Sequence, residues 1–316
     1  MAQAITYSRF GGPEVLSLTD VDVPAPGAGD LAVRVEAAGV NPVDHKLRSG
    51  ERASDPITAP RRVGSDAAGI VTAVGVGVEG FREGDAVVVA GAAGAYATDI
   101  VVAASHAWPR PPQVSPEVGA AIGVPAGTAY QTLRALAVGS RDTLLVHGGS
   151  GAVGQAVIQY ATLWGATVLA TTSERRAGRV RDLGAVPLSY DTGLEERVRA
   201  AAPQGITAVI DIAGTDEALS TSLALVSDRR RIVTLVRGKD ADALGIRAFL
   251  GGSPRPLCAR DLAWRAEAIP VTLQLLAAGA FAVELGPSLP LSEAAEAHRI
   301  VESGVDGKVT LMPAHA

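Results

Sequence analysis

Three glycines with the spacing GxGxxG (Gly149, Gly151 and Gly154) follow an apolar run at 143–147 and precede an apolar helical stretch at about 152–163. That spacing can hold a pyrophosphate. The first glycine permits a tight turn, the second lets backbone N–H groups approach the phosphates, and the third lets helix and strand pack closely. Unpaired N–H groups at the helix start, and the positive end of its dipole, favour negative charge without any basic side chain. A second apolar run, 166–171, completes a βαβ unit of the length a dinucleotide site requires. In a chain with 36 glycines the motif alone is weak, and its strand–turn–helix setting is what specifies a dinucleotide.

The end of that second strand reads TTSERR, where an Asp or Glu would pair with the ribose hydroxyls of NAD. Thr172 and Ser173 are neutral donors, and Arg175 and Arg176 follow, so a 2′-phosphate would meet hydroxyls and a guanidinium. The reading is NADP(H). Glu174 is the contrary residue, since its carboxylate would weaken that preference if it pointed into the site. Ser173 as a helix N-cap with solvated arginines is the plain alternative, and the two are compatible.

These residues need a scaffold, and 316 residues exceed the usual limit of one core, so two domains are expected. Up to about residue 118 the chain reads as short strands between Gly and Pro turns, at 4–7, 15–23, 31–38, 69–78, 86–90 and 96–103. From 115 the pattern alternates: helix 115–138, strand 143–147, helix 152–163, strand 166–171, helix 174–183, strand 207–212, helix 216–226 and strand 231–236. Such alternation implies a parallel, doubly wound sheet. Beyond 260 come a long apolar helix, a strand at 281–285, a helix opened by Ser292 with Glu293 in its first turn, and a last strand at 308–312. These pieces are expected to return to the first domain.

Composition narrows the function classes. A net charge of −5 offers no electrostatic footprint for nucleic acid or an anionic membrane. No apolar run is long enough for a membrane span and the N-terminus lacks a signal-peptide pattern, so a cytoplasmic protein is expected. The single cysteine, Cys258, rules out an internal disulfide and any multi-cysteine zinc site, and reads as a structural thiol.

Several segments, taken in order, carry a resemblance: AAGVNPVDHKLRSG (37–50), VGSDAAGIVTAVG (63–75), FREGDAVV (81–88), AAIGVPAGTAYQTL (120–133), LLVHGGSGAVG (144–154) and GKVTL (307–311). The chain resembles, nearly end to end, the zinc-independent, zeta-crystallin-like quinone oxidoreductases of the medium-chain dehydrogenase/reductase superfamily. The resemblance implies an α/β protein with a GroES-like β-rich catalytic domain (1–118 plus 261–316) and a Rossmann, doubly wound nucleotide-binding domain (119–260). It further implies a homodimer. Zinc-dependent relatives carry a cysteine at the position of Asn41 and a histidine at that of Ser65, and neither is present here. Without a Lewis acid the acceptor must already be electrophilic, as quinones and α,β-unsaturated carbonyls are.

By the same resemblance Asn41, the only asparagine in the chain, donates its amide N–H to the acceptor carbonyl as negative charge builds there. Thr128 contacts the cofactor near the nicotinamide, and Ser150, Gly151, Ala152 and Val153 hold the pyrophosphate. Ser173, Arg176 and Tyr190 align with positions around the adenosine 2′-phosphate. Gly214 and the run Leu235, Val236, Arg237 follow strand ends on the cofactor side. Lys308 falls on a family-typical Gly-Lys pair. Close relatives have tyrosines where Lys46 and Arg52 stand here. His45, Lys46, Arg48, Arg52, Arg61 and Arg62 therefore form either a cationic pocket mouth suited to an acidic substrate or a solvated loop.

The leading expectation is NADPH-dependent quinone reduction on a small-molecule acceptor. Reduction of an enone or 2-alkenal C=C bond would use the same residues. A redox sensor or structural protein that binds NADPH without turnover is the reading from another class.

Overall fold

The computed structural model describes residues 2–249 and 255–314. The chain divides into two units, Met1–Val124 with Ile269–Ala316, and Pro125–Ala268. The seams drawn from sequence, 118/119 and 260/261, fall inside the helices Pro116–Ala120 and Ala259–Ala277.

In the first unit apolar residues alternate along short runs bounded by glycine and proline, the pattern of half-buried strands. Strand Asp30–Gly39 buries Leu31, Val33 and Val35 and pairs antiparallel with Asp66–Val74. Ala86–Ala90 and Ala107–Pro109 extend the sheet beyond Asp66–Val74. Lys308–Met312 and then Leu285–Pro290 extend it on the other side, so the last strand lies against the third strand of the chain. Asp99–Ala103 also pairs with Asp30–Gly39. A separate sheet has the order Ser17–Val21, Ala2–Tyr7, Arg61–Arg62.

Several expected elements differ. The strand anticipated at 281–285 begins at Leu285 and runs to Pro290. Ser292 lies inside a short 3-10 turn, Leu291–Glu293, and the cap position of helix Ala294–Ser303 is Glu293, with no side-chain cap bond. The single helix expected over 115–138 is two, Pro116–Ala120 and Gly123–Ala135. Glycine is required at the second start, because a Cβ on Gly123 would lie 2.2 Å from Asp66 Oδ1. Helix Pro42–Ser49 gave no apolar periodicity, since the residues it buries are Asp44 and Arg48. Cys258 is exposed and so is not a core thiol.

The second unit is a six-stranded parallel sheet with the order Val186–Leu188, Thr167–Thr171, Thr143–His147, Ala208–Asp211, Ile232–Thr234, Arg247–Ala248. Strand order reverses at Thr143–His147, the doubly wound arrangement whose ligands bind beyond the carboxyl ends of the strands at that point. Every residue of Thr143–His147 and Ala208–Asp211 is buried, as a sheet covered on both faces requires. Leu145, Leu169, Val209 and Ile232 pack with Leu194 and Val198 in one core. Among the described residues no helix is long and apolar enough to cross a membrane.

Candidate active site and cofactor cradle

In the first unit the end of strand Asp30–Gly39 turns into helix Pro42–Ser49 through Asn41. Pro42 suits the first helical turn because its missing N–H would have no partner there. The Asn41 backbone N–H donates to Asp44 Oδ2 at 2.8 Å, and the Asp44 N–H donates to the Asn41 carbonyl at 2.9 Å. The turn fixes the side chain, which is 1% exposed. Its Nδ2 donates to Asp66 Oδ2 at 3.0 Å and makes a longer contact, 3.4 Å, to the Gly39 carbonyl. Its Oδ1 accepts from Lys308 Nζ.

This geometry modifies the expectation of a free amide donor, because the better of the two N–H bonds already goes to a carboxylate. It also places Lys308 on Asn41. The ammonium is buried, and its bond to Asn41 is the one hydrogen bond it makes among the described residues, so two of its three N–H donors are uncommitted. Burial lowers the Lys308 pKa, opposed by the charges of Asp66 and Asp44. Gly39 makes the approach possible: a Cβ there would lie 2.0 Å from the Ala120 carbonyl oxygen and 3.4 Å from Lys308 Cε.

Two carboxylates complete the cluster. Asp66 Oδ2 also accepts the Val124 N–H at 2.8 Å, at the start of helix Gly123–Ala135, and Ser65 Oγ donates to Asp66 Oδ1 at 3.3 Å. Asp44 Oδ2 accepts the Tyr96 hydroxyl at 2.8 Å. Burial raises Asp44 to about 6, against the lowering effect of its bonds to Asn41 and Tyr96. The Tyr96 hydroxyl is pushed well above its ordinary value, first by burial and then by the neighbouring Asp44 charge. Sequence reasoning missed Asp66 and Tyr96; the segment VGSD at 63–66 was noted only as part of the resemblance. Among the described residues no group of three or more His, Cys, Asp or Glu side chains is arranged to hold a metal ion.

In the second unit the glycine turn leaves strand Thr143–His147 and enters helix Ala152–Leu163. The left-handed residue is Gly148, with φ 83°, one position before the motif. Gly149 is there for proximity, since a Cβ would lie 2.6 Å from Ala170 Cβ. A Cβ on Gly154 would lie 2.3 Å from the Gly148 carbonyl oxygen, so the helix can start against the turn only with glycine there. At Gly151 the nearest atom to a Cβ would be the same oxygen at 3.8 Å. That position faces open space. Ser150, Gly151, Ala152 and Val153 are all partly or fully accessible at this helix start, a geometry that accommodates phosphates.

A cavity of about 320 Å³ lies beyond Thr167–Thr171, lined by Thr172, Ser173, Glu174, Leu188, Tyr190 and Asp191 among others. Thr172 Oγ1 is buried there without a partner, and the Ser173 hydroxyl makes no cap bond to the turn Glu174–Arg176. The Ser173 hydroxyl is therefore available, and Thr172 Oγ1 is an unpaired hydroxyl covered by the protein. Arg176 is not in the lining; its Nη2 donates to the Ser150 carbonyl at 3.3 Å, which ties it to the glycine turn. Glu174 does line the cavity, so the residue that argued against the 2′-phosphate reading is present in it.

Thr128 Oγ1 accepts from Arg265 Nη1 at 2.9 Å. Gly214, with φ 69°, and the run 235–237 are joined by a network that the sequence did not reveal. Asp211 Oδ1 accepts the N–H groups of Ala213 and Gly214 at 3.0 and 2.8 Å, and its Oδ2 accepts Thr234 Oγ1–H at 2.8 Å. Thr234 Oγ1 in turn accepts the N–H groups of Val236 and Arg237 at 3.2 and 2.9 Å. Two fully buried side chains thus shape the loops after two adjacent parallel strands.

Two family models match the chain, the alcohol dehydrogenase GroES-like domain over residues 27–112 and the zinc-binding dehydrogenase over residues 152–252. The chain is 32% identical over 340 residues to a quinone oxidoreductase of Homo sapiens, covering 99% of this chain and 98% of that protein. It is 30% identical to a quinone oxidoreductase of Salmonella typhimurium, covering 99% and 100%. Among solved structures, a quinone oxidoreductase of Escherichia coli complexed with NADPH aligns with a TM-score of 0.83 at 26% identity, covering 98% and 100%. A mycobacterial protein complexed with NADPH aligns with a TM-score of 0.82 at 31% identity, covering 99% and 100%.

Proposed function

The chain belongs to the quinone oxidoreductases of the medium-chain dehydrogenase/reductase superfamily, and from that membership we propose that this oxidoreductase uses NADPH to reduce quinones without zinc. Relatives solved with NADPH support the cofactor, together with the glycine cradle and the uncommitted Ser173 hydroxyl. Ser150, Gly151, Ala152 and Val153 carry the pyrophosphate, and Ser173, Arg176 and Tyr190 surround the 2′-phosphate. Thr128, Gly214, Leu235, Val236 and Arg237 line the rest of the cofactor, the last four on loops held by Asp211 and Thr234.

The observation that carries the zinc-free reading is the ammonium of Lys308 on Asn41 Oδ1. Zinc takes thiolate, imidazole or carboxylate donors. Asn41 and Ser65 offer an amide and a hydroxyl, the neighbouring carboxylates of Asp44 and Asp66 are engaged by Asn41, Tyr96, Ser65 and the Val124 N–H, and a fixed organic cation occupies the amide oxygen, a donor set that does not fit a zinc ion. The bound nicotinamide supplies a hydride, and with a proton from water this converts a quinone to its hydroquinone. Lys308, held by Asn41 Oδ1, keeps two N–H donors for the oxygen on which charge develops, while the Asn41 amide N–H groups go to Asp66 and Gly39 and fix that arrangement, so the acceptor needs no metal to polarise it.

The test is a melting experiment with NADPH against NADH, followed by NADPH absorbance with 1,4-benzoquinone, 9,10-phenanthrenequinone and 2-hexenal. At a hundred times its Kd, NADPH adds about 2.7 kcal/mol of stability. Larger stabilisation by NADH overturns the cofactor assignment. Turnover of 2-hexenal without quinone turnover moves the reaction to C=C reduction, and binding without turnover moves it to a sensor.

A further inference from the structure

The sheet of the second unit has the strand order of two mononucleotide-binding halves that meet at Thr143–His147. In one half the cavity lined by Ser173 lies beyond Thr167–Thr171, and the glycine turn leaves Thr143–His147 at the junction. A dinucleotide with its adenosine in that cavity and its pyrophosphate at that turn lays its nicotinamide over the other half, beyond Ala208–Asp211 and Ile232–Thr234. The chain leaves those two strands through the loops at 212–215 and 235–237.

The two loops are built as one piece. Asp211 Oδ1 holds the first through the N–H groups of Ala213 and Gly214, and Thr234 Oγ1 holds the second through those of Val236 and Arg237. The Leu235 N–H donates to the Asp211 carbonyl at 2.8 Å. The Arg237 guanidinium reaches back to the Gly214 carbonyl at 3.1 Å and to Asp216 at 2.8 Å. Val236 closes over Gly214, where a Cβ would lie 2.8 Å from Val236 Cγ1. One bond, Thr234 Oγ1–H to Asp211 Oδ2 at 2.8 Å, joins the two anchors, and both side chains are fully buried.

The direction of that bond is fixed. A hydroxyl has one proton and two lone pairs, and two backbone N–H groups already occupy the lone pairs of Thr234 Oγ1. Its proton must go to an atom with a free lone pair, which is Asp211 Oδ2. Asp211 Oδ1 accepts two further N–H groups, so both oxygens of this side chain are acceptors. An amide here would keep the first loop and turn an NH2 group towards Thr234, whose lone pairs are full. The network therefore calls for a carboxylate and not merely for a polar side chain.

We propose that Asp211 is a positioning residue for the nicotinamide: its carboxylate locks the loops after two adjacent strands at one spacing and so sets the pose from which hydride leaves. It acts through the loops and touches no substrate. A misplacement of about 1 Å can cost about a hundredfold in rate, so loosening one loop should be felt in turnover. This rests on the NADPH-dependent reading above and names the side chain that fixes the geometry of transfer.

The experiment uses the full chain and two ligands. NADPH carries both halves of the cofactor, whereas adenosine 2′,5′-bisphosphate carries the adenosine half alone. By titration calorimetry Asp211→Asn should weaken NADPH about tenfold, the equivalent of one hydrogen bond to a charged group, and leave the bisphosphate within about twofold of wild type. At saturating NADPH its kcat with 9,10-phenanthrenequinone should fall by about tenfold to a hundredfold. Thr234→Val breaks the link from the other side and should have the same selective effect. Combining it with Asp211→Asn should cost little more, because both remove one connection. Thr234→Ser keeps the hydroxyl and should recover most of the loss. Equal weakening of both ligands is what a general structural role predicts, and that result overturns the proposal. Full NADPH affinity and kcat in Asp211→Asn, or additive effects in the double variant, overturn it as well. If wild type binds NADPH but reduces no quinone, the reductase reading fails, and the ratio of the two affinities still decides Asp211. Should Asp211→Asn fail to fold, Thr234→Val and Thr234→Ser decide between the same outcomes.

Discussion

Lys308 Nζ donates to Asn41 Oδ1 in the interior of the first unit, joining two residues 267 positions apart. The amide cannot then be flipped without cost: its oxygen meets an ammonium and its nitrogen meets the Asp66 carboxylate, so reversal would bring like partial charges together at both ends. The pair lies between two buried carboxylates, Asp44 and Asp66, and Lys308 is the cation whose charge both of them feel.

Removing either partner should therefore have a distinct signature. Asn41→Ala should cut kcat by about a hundredfold, because it releases the Lys308 ammonium from the position in which it serves as an oxyanion donor worth on the order of 3 kcal/mol. Lys308→Met should lower kcat and also cost about 3–5 kcal/mol of stability in denaturant unfolding, because it leaves buried carboxylates without their cation. Lys308→Arg should recover part of both. Wild-type turnover in Asn41→Ala would remove the amide from the reaction.

The glycine turn predicts opposite outcomes for two similar substitutions. Gly154→Ala places a Cβ 2.3 Å from the Gly148 carbonyl oxygen, so it should lower the melting temperature of the free protein. Gly151→Ala meets nothing nearer than 3.8 Å and should fold with an unchanged melting temperature, while its methyl occupies the space a pyrophosphate needs. Its affinity for NADPH should fall by about tenfold or more, read by fluorescence titration, the equivalent of one lost phosphate hydrogen bond to backbone. Full NADPH affinity in Gly151→Ala would place the phosphates elsewhere.

Acid stability follows from three buried groups. Burial holds His298 at about 3 and His147 at about 4, so the folded protein keeps them neutral; their stabilising contribution is complete above pH 6.5 and is lost as pH falls towards those values. Asp44, raised to about 6, acts in the other direction: the folded state holds its proton more tightly, and that contribution is complete below about pH 4 and lost as pH rises through 6. Near pH 5 the unfolded chain binds about two more protons on the histidines and about one fewer on Asp44. The three groups together therefore lower stability by about 1.4 kcal/mol per pH unit of acidification. Urea unfolding at pH 4.5 to 6 should show a flatter dependence in His298→Gln and a steeper one in Asp44→Asn. Parallel slopes in all three proteins would contradict these assignments.

The cofactor half was legible because its signals are local. Gly149, Gly151 and Gly154 act within one turn of chain, and the alternation of apolar strands and helices from residue 143 onward specifies a parallel sheet whatever its neighbours do. Even here a detail moved: the left-handed residue is Gly148, since a glycine needed for φ and one needed for close approach look the same in sequence. The catalytic half was less legible. Helix Pro42–Ser49 buries Asp44 and Arg48, which hydrophobic periodicity reads as solvent-facing. Asp211 and Thr234 gave no signal either, because a residue that shapes two loops through backbone N–H groups looks like any polar residue at a strand end.

By itself the sequence determined the strand–turn–helix cradle, the two-part α/β organisation and the family to which they belong, because each depends on residue spacing and order along the chain. Tertiary structure alone decided which charges are satisfied. Lys308 reaches Asn41 only because the last strand pairs with Asp30–Gly39, and Arg48 and Arg62, equal as letters, differ because one meets Glu302 and the other keeps an unfilled edge away from water. Electrostatic roles follow from desolvation and from partners distant in sequence, and neither exists until the chain has folded.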